Sequence, residues 1–156
     1  MTVSGALLLC LVTAVGDGDS LTVDCSRQGL PRRLSVRVAR IDAPEAGQPF
    51  GARSRQHLRG LCLGRTAAIR PVAVDTYGRT VASVRCGEAD VGEAQLRMGL
   101  AWAYRPHGEH DPLLALQERA RQARLGLWSA PRPIPPWQWR ARDCEVSRGA
   151  SQGHPG

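Results

Sequence analysis

Five charged residues that are far apart in this sequence could together do chemistry on a phosphate group. Asp19 lies in V-G-D-G-D-S. Arg37, Asp42 and Glu45 lie in R-V-A-R-I-D-A-P-E, and Arg79 lies in D-T-Y-G-R-T. Carboxylate oxygens, with a backbone carbonyl and waters, fit Ca²⁺ and, less well, Mg²⁺. Guanidinium groups can bind phosphate through two donors at once. The residue types therefore predict a hard cation held against a phosphate.

Each of these side chains also has an ordinary explanation. Asp19 could be a turn residue, because Asp-Gly is a common hairpin signal. Asp42 and Glu45 flank Pro44, so both carboxylates can project from one stiff strand end, but they could equally belong to a solvated turn. Arginines on strands are usually surface residues. The individual residues leave both interpretations open.

Other metal chemistry is not indicated. No His or Cys cluster has the spacing of a zinc site. His107 and His110 are close in sequence, but they lie in a loop flanked by glycine and proline. We do not predict a metal pair there.

Composition limits the class of protein. The chain has 156 residues and a net charge of +7, with a pI near 10.1. This length suits one domain with a sizeable core. The positive charge favours a polyanionic partner such as nucleic acid or an acidic surface. All 21 basic residues are arginine, so Schiff-base chemistry on lysine is excluded. Each guanidinium is permanently charged and can donate two hydrogen bonds to one phosphate.

Five short strands must position the candidate residues. A Gly-Asp-Gly-Asp turn separates an apolar run from a segment of alternating polarity, which predicts a hairpin. The predicted strands cover residues 10–16, 20–25, 34–41, 67–74 and 80–86. The third strand ends at Asp42, because proline restricts the residue before it to extended geometry.

Three helices interrupt these strands. Apolar residues recur at helical spacing, and the predicted helices cover residues 49–63, 91–98 and 113–124. Asp111 is the expected N-cap of the third helix, and Pro112 is its first residue. Five strands with helices between them predict an α+β fold, a small closed barrel of the oligonucleotide-binding (OB) type.

The chain ends are expected to differ from this domain. Residues 1–8 are an apolar segment, residues 9–140 form the folded domain, and residues 141–156 are a polar tail. We expect Trp128 and the proline-rich segment after it to pack back in an extended conformation. The tail is rich in glycine, serine, glutamine and charge, so we expect disorder there.

The apolar run from Gly5 to Val15 is too short to span a bilayer, which takes about 20 residues. It is similar to the apolar part of a signal peptide, yet no basic residue precedes it and it continues into the first strand. Either a leader precedes this start, or the protein stays in the cytoplasm. We expect a secreted or periplasmic protein, with a cytoplasmic one as the alternative, and no stable insertion into a membrane.

The five cysteines bear on the same question. The hairpin pairs residues whose numbers sum to about 35 or 36, so Cys10 would face Cys25 at a distance that a disulfide can bridge. Cys62 and Cys86 would then form a second pair, and Cys144 is left over. The alternative is five free or buried thiols. Disulfides would indicate an oxidising compartment.

Six segments of this chain resemble the thermonuclease family, the staphylococcal nuclease-like proteins. They are V-G-D-G-D-S, R-V-A-R-I-D-A-P-E, G-Q-P-F-G, D-T-Y-G-R-T-V-A, Q-L-R-M-G-L-A-W-A-Y and A-R-L-G-L-W-S. The resemblance covers about residues 9 to 140 and keeps the family's order and spacing. It implies a five-stranded OB-fold barrel with three α-helices that hydrolyses DNA and RNA with one Ca²⁺. It also implies cleavage that leaves 3′-phosphorylated products, with little sequence specificity.

The resemblance assigns roles residue by residue. Asp19 and Asp42 match the direct calcium ligands, and Ala43 matches the residue that lends its backbone carbonyl. Glu45 matches the base that orients the attacking water. Arg37 and Arg79 match the two arginines that clamp the phosphate. Tyr77 and Tyr104 match positions that contact the nucleotide, and Asp17 matches an aspartate close behind the metal ligands.

Some positions depart from the family pattern. Ser20 stands where threonine is common, and Thr76 stands where a lysine contacts phosphate in the founding member. The basic loop before the first helix is shortened to A-G-Q-P-F. These departures affect substrate affinity more than chemistry. We expect a monomeric calcium-dependent nuclease acting on single-stranded or locally opened DNA and RNA; the alternative is an inactive barrel that binds nucleic acid or protein.

Overall fold

A computed structural model describes residues 5–150, so residues 1–4 of the apolar N-terminal segment and residues 151–156 of the expected tail lie outside the described part. The strands are β1 Leu8–Val15, β2 Ser20–Asp24, β3 Leu34–Val38, β4 Ile41–Asp42, β5 Thr66–Val74, β6 Thr80–Cys86, β7 Ala89–Asp90 and β8 Trp102–Ala103. The helices are α1 Gly51–Cys62, α2 Val91–Arg97, α3 Pro112–Gln122 and α4 Pro136–Ala150.

Five strands close into a barrel. Their order is β3-β2-β1-β5-β6, with antiparallel neighbours, and a parallel pairing of β3 with β6 closes the ring. The short strand β7 pairs with β6 at the edge of the sheet, while β4 and β8 form a separate pair. The predicted α+β class and OB-type barrel are confirmed, and residues 5–150 contain four α-helices where three were expected.

The hairpin of β1 and β2 has the register that the sequence predicts. Leu11 pairs with Asp24 and Val12 with Val23, and the register then shifts by one residue at a bulge. A disulfide joins Cys10 to Cys25 across these strands, and a second joins Cys62 at the end of α1 to Cys86 on β6. Cys144 is a free, exposed thiol on α4.

Alternation along the strands builds the core. On β3, Val36 and Val38 are buried, which turns Arg37 to the opposite face of the strand. Helices α1 and α2 cover the barrel with fully buried residues such as Leu58 and Leu96. Helix α3 begins at the expected N-cap, Asp111, whose side chain accepts a hydrogen bond from the N–H of Leu113.

Helix α4 replaces the extended strap and the disorder expected near the C-terminus. Trp128, expected in the extended strap, instead lies in a 3-10 turn, Gly126–Ser129. Residues 131–135 have no regular secondary structure, and the helix then runs without a break to Ala150. Proline at the first helical position is favourable because its ring presets φ and its missing N–H is not needed there. The next residues, up to Arg148, include no glycine or proline and several strong helix formers. Their polar composition resembled a disordered tail, but their backbone preference is helical.

No helix among residues 5–150 combines the length and the apolar character that crossing a membrane requires.

Candidate active site

The strand register brings Asp19, Arg37 and Arg79 together. Arg37 on β3 pairs with Ser20 on one side and with Val81 on the other. The turn that carries Asp19 therefore lies beside Arg37, and the end of the hairpin that carries Arg79 lies on its other side. Residues far apart in sequence meet because β3 touches both neighbours in the closed barrel.

The base of the site is a buried group of charges, Asp19, Arg37 and Asp42, here called the carboxylate floor. Arg37 Nη2 lies 3.7 Å from Asp19 Oδ2 and 3.5 Å from Asp42 Oδ1. Arg37 Nη1 also donates to the carbonyl oxygens of Val38 at 2.8 Å and Ile41 at 2.9 Å. The Asp42 side chain is 1% exposed. These contacts fix the guanidinium against both carboxylates.

Asp19 is held from the backbone as well. The N–H of Ala43 donates to Asp19 Oδ2 at 2.8 Å, and the N–H of Val38 donates to the Asp19 carbonyl oxygen at 2.8 Å. Burial nevertheless raises the pKa of Asp19 to about 6, because desolvation outweighs the nearby Arg37 charge and the Ala43 hydrogen bond. A carboxylate in this position gains stability from an additional cation.

The turn that presents Asp19 packs on a buried polar cluster that sequence reasoning missed. Gln95 on α2 donates through Nε2 to the Gly18 carbonyl at 2.6 Å and to the Ser54 carbonyl at 3.0 Å. A Cβ at Gly18 would collide with Ser54 Oγ, so only glycine fits. Gln95 is on the inner side of its helix, and a glutamine among apolar positions was the available signal.

Glu45 lies at the rim of the floor, and its side chain is 32% exposed. Its N–H donates to Gln48 Oε1 at 3.1 Å, and Gln48 Nε2 donates to the Ile134 carbonyl at 2.6 Å. The loop that carries the carboxylate is therefore fastened to the segment before α4. Burial and the neighbouring Glu45 carboxylate raise the pKa of Asp17, so the two acids lie close enough to interact.

The opposite side of the site is the tip of the β5–β6 hairpin, here called the hairpin wall and formed by Asp75, Tyr77 and Arg79. Arg79 Nε lies 2.7 Å from Asp75 Oδ2, and Asp75 Oδ1 accepts the N–H groups of Tyr77 and Arg79 at 2.9 Å each. Desolvation raises the pKa of Asp75, but these hydrogen bonds outweigh it and hold the pKa below its usual value. Asp75 was not among the predicted site residues, although aspartate three positions before a turn glycine is a turn signal.

One open cleft of about 940 Å³ connects the two sides. Most of the predicted site residues line it, namely Asp17, Asp19, Arg37, Glu45, Tyr77, Arg79 and Tyr104. Asp42 lies just beneath, in contact with Arg37. The Tyr104 ring lies 5.6 Å from the Arg37 guanidinium carbon, and Tyr77 is 84% exposed.

An additional arginine, which sequence reasoning missed, enters the cleft from α4. Arg140 Nη2 lies 2.8 Å from Asp42 Oδ2, and Arg140 Nη1 lies 2.7 Å from Glu45 Oε1. Nothing in the sequence near Arg140 marks it as a site residue, since its partners are 98 and 95 positions away.

The donor set fits a hard cation. Asp19 and Asp42 offer buried carboxylate oxygens, and arginine side chains supply the positive charge beside them. Among residues 5–150, no three His, Cys, Asp or Glu side chains form a metal cluster. A calcium ion here would rest on two carboxylates, a backbone carbonyl and waters, which suits its preference for oxygen ligands.

Comparisons with known proteins show which family this chain belongs to. Residues 35–130 match the family model of the staphylococcal nuclease homologue. The chain is 39% identical over 140 residues to the micrococcal nuclease of Shigella flexneri, covering 83% of this chain and 78% of that protein. It is 37% identical over 135 residues to an uncharacterized endonuclease of Haemophilus influenzae, covering 86% and 74%.

A plant relative is longer. The staphylococcal-like nuclease CAN1 of Arabidopsis thaliana is 30% identical over 128 residues, which cover 82% of this chain and 40% of the plant protein. The chain thus spans about three quarters of the two bacterial relatives and two fifths of the plant one. On these matches and this fold, the chain belongs to the family of staphylococcal nuclease homologues, and with it to the nuclease hydrolases.

Proposed function

We propose that this protein is a calcium-dependent nuclease that hydrolyses phosphodiester bonds of DNA and RNA with little sequence specificity. The observation that carries the proposal is the convergence of Asp19, Arg37, Glu45 and Arg79 on one cleft, with Asp42 beneath it in contact with Arg37. An inactive binding barrel has no need for buried carboxylates beside a phosphate-binding arginine. The net charge of +7 favours the polyanionic substrate.

Asp19 and Asp42 would hold the ion together with the Ala43 carbonyl. When bound, calcium would supply Lewis-acid stabilisation of a phosphate oxygen and a template for the water. Because these carboxylates belong to the rigid carboxylate floor, their geometry is set before substrate arrives.

Glu45 is the base of this mechanism. Its carboxylate is half-exposed at the rim of the cleft, within reach of solvent, and it accepts the proton of the attacking water. The new bond joins the water oxygen to phosphorus, and the bond from phosphorus to the 5′ oxygen breaks. The departing 5′ oxygen takes a proton from solvent in the open cleft and becomes a hydroxyl. The product strand keeps a 3′-phosphate.

Arg37 and Arg79 bind the phosphate. Charge grows on the phosphate oxygens as the reaction approaches its transition state. Preoriented donors therefore stabilise the transition state more strongly than the ground state. Contacts from arginine to phosphate do not read bases, so cleavage is expected to be largely independent of sequence. Tyr77 and Tyr104 offer ring faces for nucleotides at the two sides of the cleft.

A cleavage assay tests the proposal. Single-stranded DNA and RNA are incubated with the protein in CaCl₂, in EGTA, and with Glu45→Gln in CaCl₂. We expect cleavage only with calcium and a large loss in Glu45→Gln, while Glu88→Gln, an exposed glutamate outside the cleft, keeps full activity. Absence of cleavage in calcium, or cleavage that survives chelation, would contradict the proposal.

We also propose that the protein works in an oxidising compartment, secreted or periplasmic. The two disulfides support this, because cytosolic thiols are normally kept reduced. Iodoacetamide treatment of protein purified from its native compartment, followed by mass spectrometry, should label Cys144 alone. Labelling of all five cysteines would indicate the cytoplasm instead. The same preparation should run as a monomer in size-exclusion chromatography with light scattering.

A further inference from the structure

Arg140 is the residue of α4 that lines the cleft. Its guanidinium engages both oxygens of Asp42, with Nη2 at 2.8 Å from Oδ2 and Nη1 at 3.2 Å from Oδ1. The same Nη1 lies 2.7 Å from Glu45 Oε1. One guanidinium therefore bridges the proposed metal ligand and the proposed base. Two-pronged pairs of this kind are among the strongest side-chain hydrogen bonds.

The helix that carries Arg140 is held in place by other contacts. The Trp137 ring centroid lies 5.7 Å from that of Trp102 and 6.1 Å from that of Tyr104. Trp137 and Arg140 are three positions apart on α4 and so lie on the same side of it. Just before the helix, the Ile134 carbonyl accepts the hydrogen bond from Gln48. An anchored helix thus presents Arg140 to Asp42. Because the helix is already ordered, the pairing costs less conformational entropy.

A metal ion and Arg140 need the same oxygen atoms. Calcium would bind Asp42 through a carboxylate oxygen, and both Asp42 oxygens already accept hydrogen bonds from Arg140. A calcium ion at Asp42 would lie beside the Arg140 guanidinium and be repelled by it, and the Arg140 hydrogen bonds already occupy a lone pair on each carboxylate oxygen. Glu45 is affected as well, since its Oε1 accepts a hydrogen bond from Arg140 Nη1 at 2.7 Å and is therefore less free to orient a water.

We propose that Arg140 is an intramolecular competitor of calcium at Asp42, and that it sets the calcium concentration at which the nuclease becomes active. This inference rests on the proposed calcium site. The apparent calcium affinity is then the intrinsic affinity multiplied by the fraction of molecules in which Arg140 has left Asp42. Departure of Arg140 also frees the Glu45 carboxylate, so metal binding and readiness of the base are coupled.

Calcium affinity measured by isothermal titration calorimetry, without substrate, tests this directly. Arg140→Gln removes the charge and keeps most of the length of the side chain. We expect it to bind calcium about 10-fold more tightly than the unaltered protein, as removal of a competing closed state predicts. Arg140→Lys keeps the charge and loses the two-pronged geometry, so its affinity should lie between the two. Half-maximal cleavage should shift to lower calcium in the same order.

Arg142→Gln is the matched control. It makes the same change of charge on the same helix, at an exposed position two residues away. Its calcium affinity should equal that of the unaltered protein. Far-ultraviolet circular dichroism and thermal melts verify that all variants are folded, and Arg140→Lys carries the test if Arg140→Gln is not.

The outcomes separate the two proposals. If the unaltered protein binds calcium and the Arg140 variants bind it no more tightly, the competition is refuted while the calcium site stands. If Arg142→Gln tightens binding as much as Arg140→Gln, general charge rather than the Asp42 contact is responsible, and the competition is again refuted. If no variant binds calcium at all, the calcium site itself fails, and the inference fails with it.

Discussion

The carboxylate floor and the hairpin wall face the same cleft but are built differently. The floor belongs to the closed part of the barrel, where the side chain of Asp42 is 1% exposed and that of Arg37 is 14% exposed. The wall is the tip of a hairpin, where the Arg79 side chain is 34% exposed and is held mainly by Asp75, four residues away. The floor depends on long-range strand pairing, and the wall depends on a local turn.

This difference separates the two requirements of the proposed reaction. Buried carboxylates need a fixed cage of donors, because an unpaired buried charge is strongly destabilising. A phosphate-binding arginine on an exposed hairpin can adjust to strands of varying conformation. The floor should therefore couple activity to stability, whereas the wall should affect activity alone. The following changes test that division, from the largest expected effect to the smallest.

Arg37→Ala should have the largest effect, because it acts on both activity and stability. Loss of a preoriented donor typically lowers the rate by about 10²–10³-fold. Asp19 and Asp42 also lose their shared partner, which should lower the free energy of unfolding by about 1–3 kcal/mol. Cleavage kinetics and urea unfolding measure the two effects. Arg33→Ala, at an exposed position just before β3, is the control and should change neither.

Arg79→Ala should lower the rate by a similar factor of about 10²–10³. Its free energy of unfolding should change by less than about 1 kcal/mol, because the lost ion pair is largely solvated. The same two measurements are made as for Arg37→Ala. A loss of stability as large as that of Arg37→Ala would remove the distinction between floor and wall.

Asp75→Asn should have a smaller effect, because it acts through Arg79. The asparagine keeps the turn but loses the ion pair, so Arg79 is less well positioned, and misplacement of a catalytic group can cost up to about 10²-fold. We expect kcat to fall about 10-fold with little change in KM. The double variant with Arg79→Ala should be no slower than Arg79→Ala alone. Additive losses would mean that Asp75 acts independently of Arg79.

The smallest effect concerns the loop beyond β8, which completes the rim of the cleft with His107. Asp111 pairs with Arg40 and accepts the N–H of His107 at 2.7 Å, and these hydrogen bonds lower the pKa of Asp111 to about 2. A depressed pKa stabilises the fold above the ordinary pKa of aspartate, and that contribution is lost as the pH falls toward 2. Melting temperatures of the unaltered protein and Asp111→Asn should differ at pH 6 and converge near pH 2. A constant difference would exclude this titration as the cause.

The barrel and its first hairpin could be predicted because their signals are local. Alternating polarity, a Gly-Asp-Gly-Asp turn and the sum rule for pairing gave the register that places Cys10 opposite Cys25. Helix α4 could not be predicted in the same way. Its composition is that of a solvated tail, and its position depends on packing of Trp137 against Trp102, 35 residues earlier in the sequence.

The candidate site divides along the same line. The residue types made Asp19, Arg37, Asp42, Glu45 and Arg79 candidates, and the resemblance to the thermonuclease family assigned their roles. Four of them line one cleft, and Asp42 lies beneath it against Arg37. Gln95, Asp75 and Arg140 were missed. Each of these three contacts a site residue or the turn that carries one, and the contacts of Gln95 and Arg140 join distant segments, which a single sequence does not reveal as pairs. Asp75 is the exception, since its partner is only four positions away.

The sequence by itself determined the chemistry that is available: oxygen ligands for a hard cation, permanent guanidinium charges for a phosphate, and strands short enough to close a small barrel. Tertiary structure alone decided which of these groups are buried and which are paired. Burial raises the pKa of Asp19, and the fold of α4 brings Arg140 to Asp42 across 98 positions. Electrostatic energies depend on distance and solvent exposure, and both are fixed only when the chain has folded.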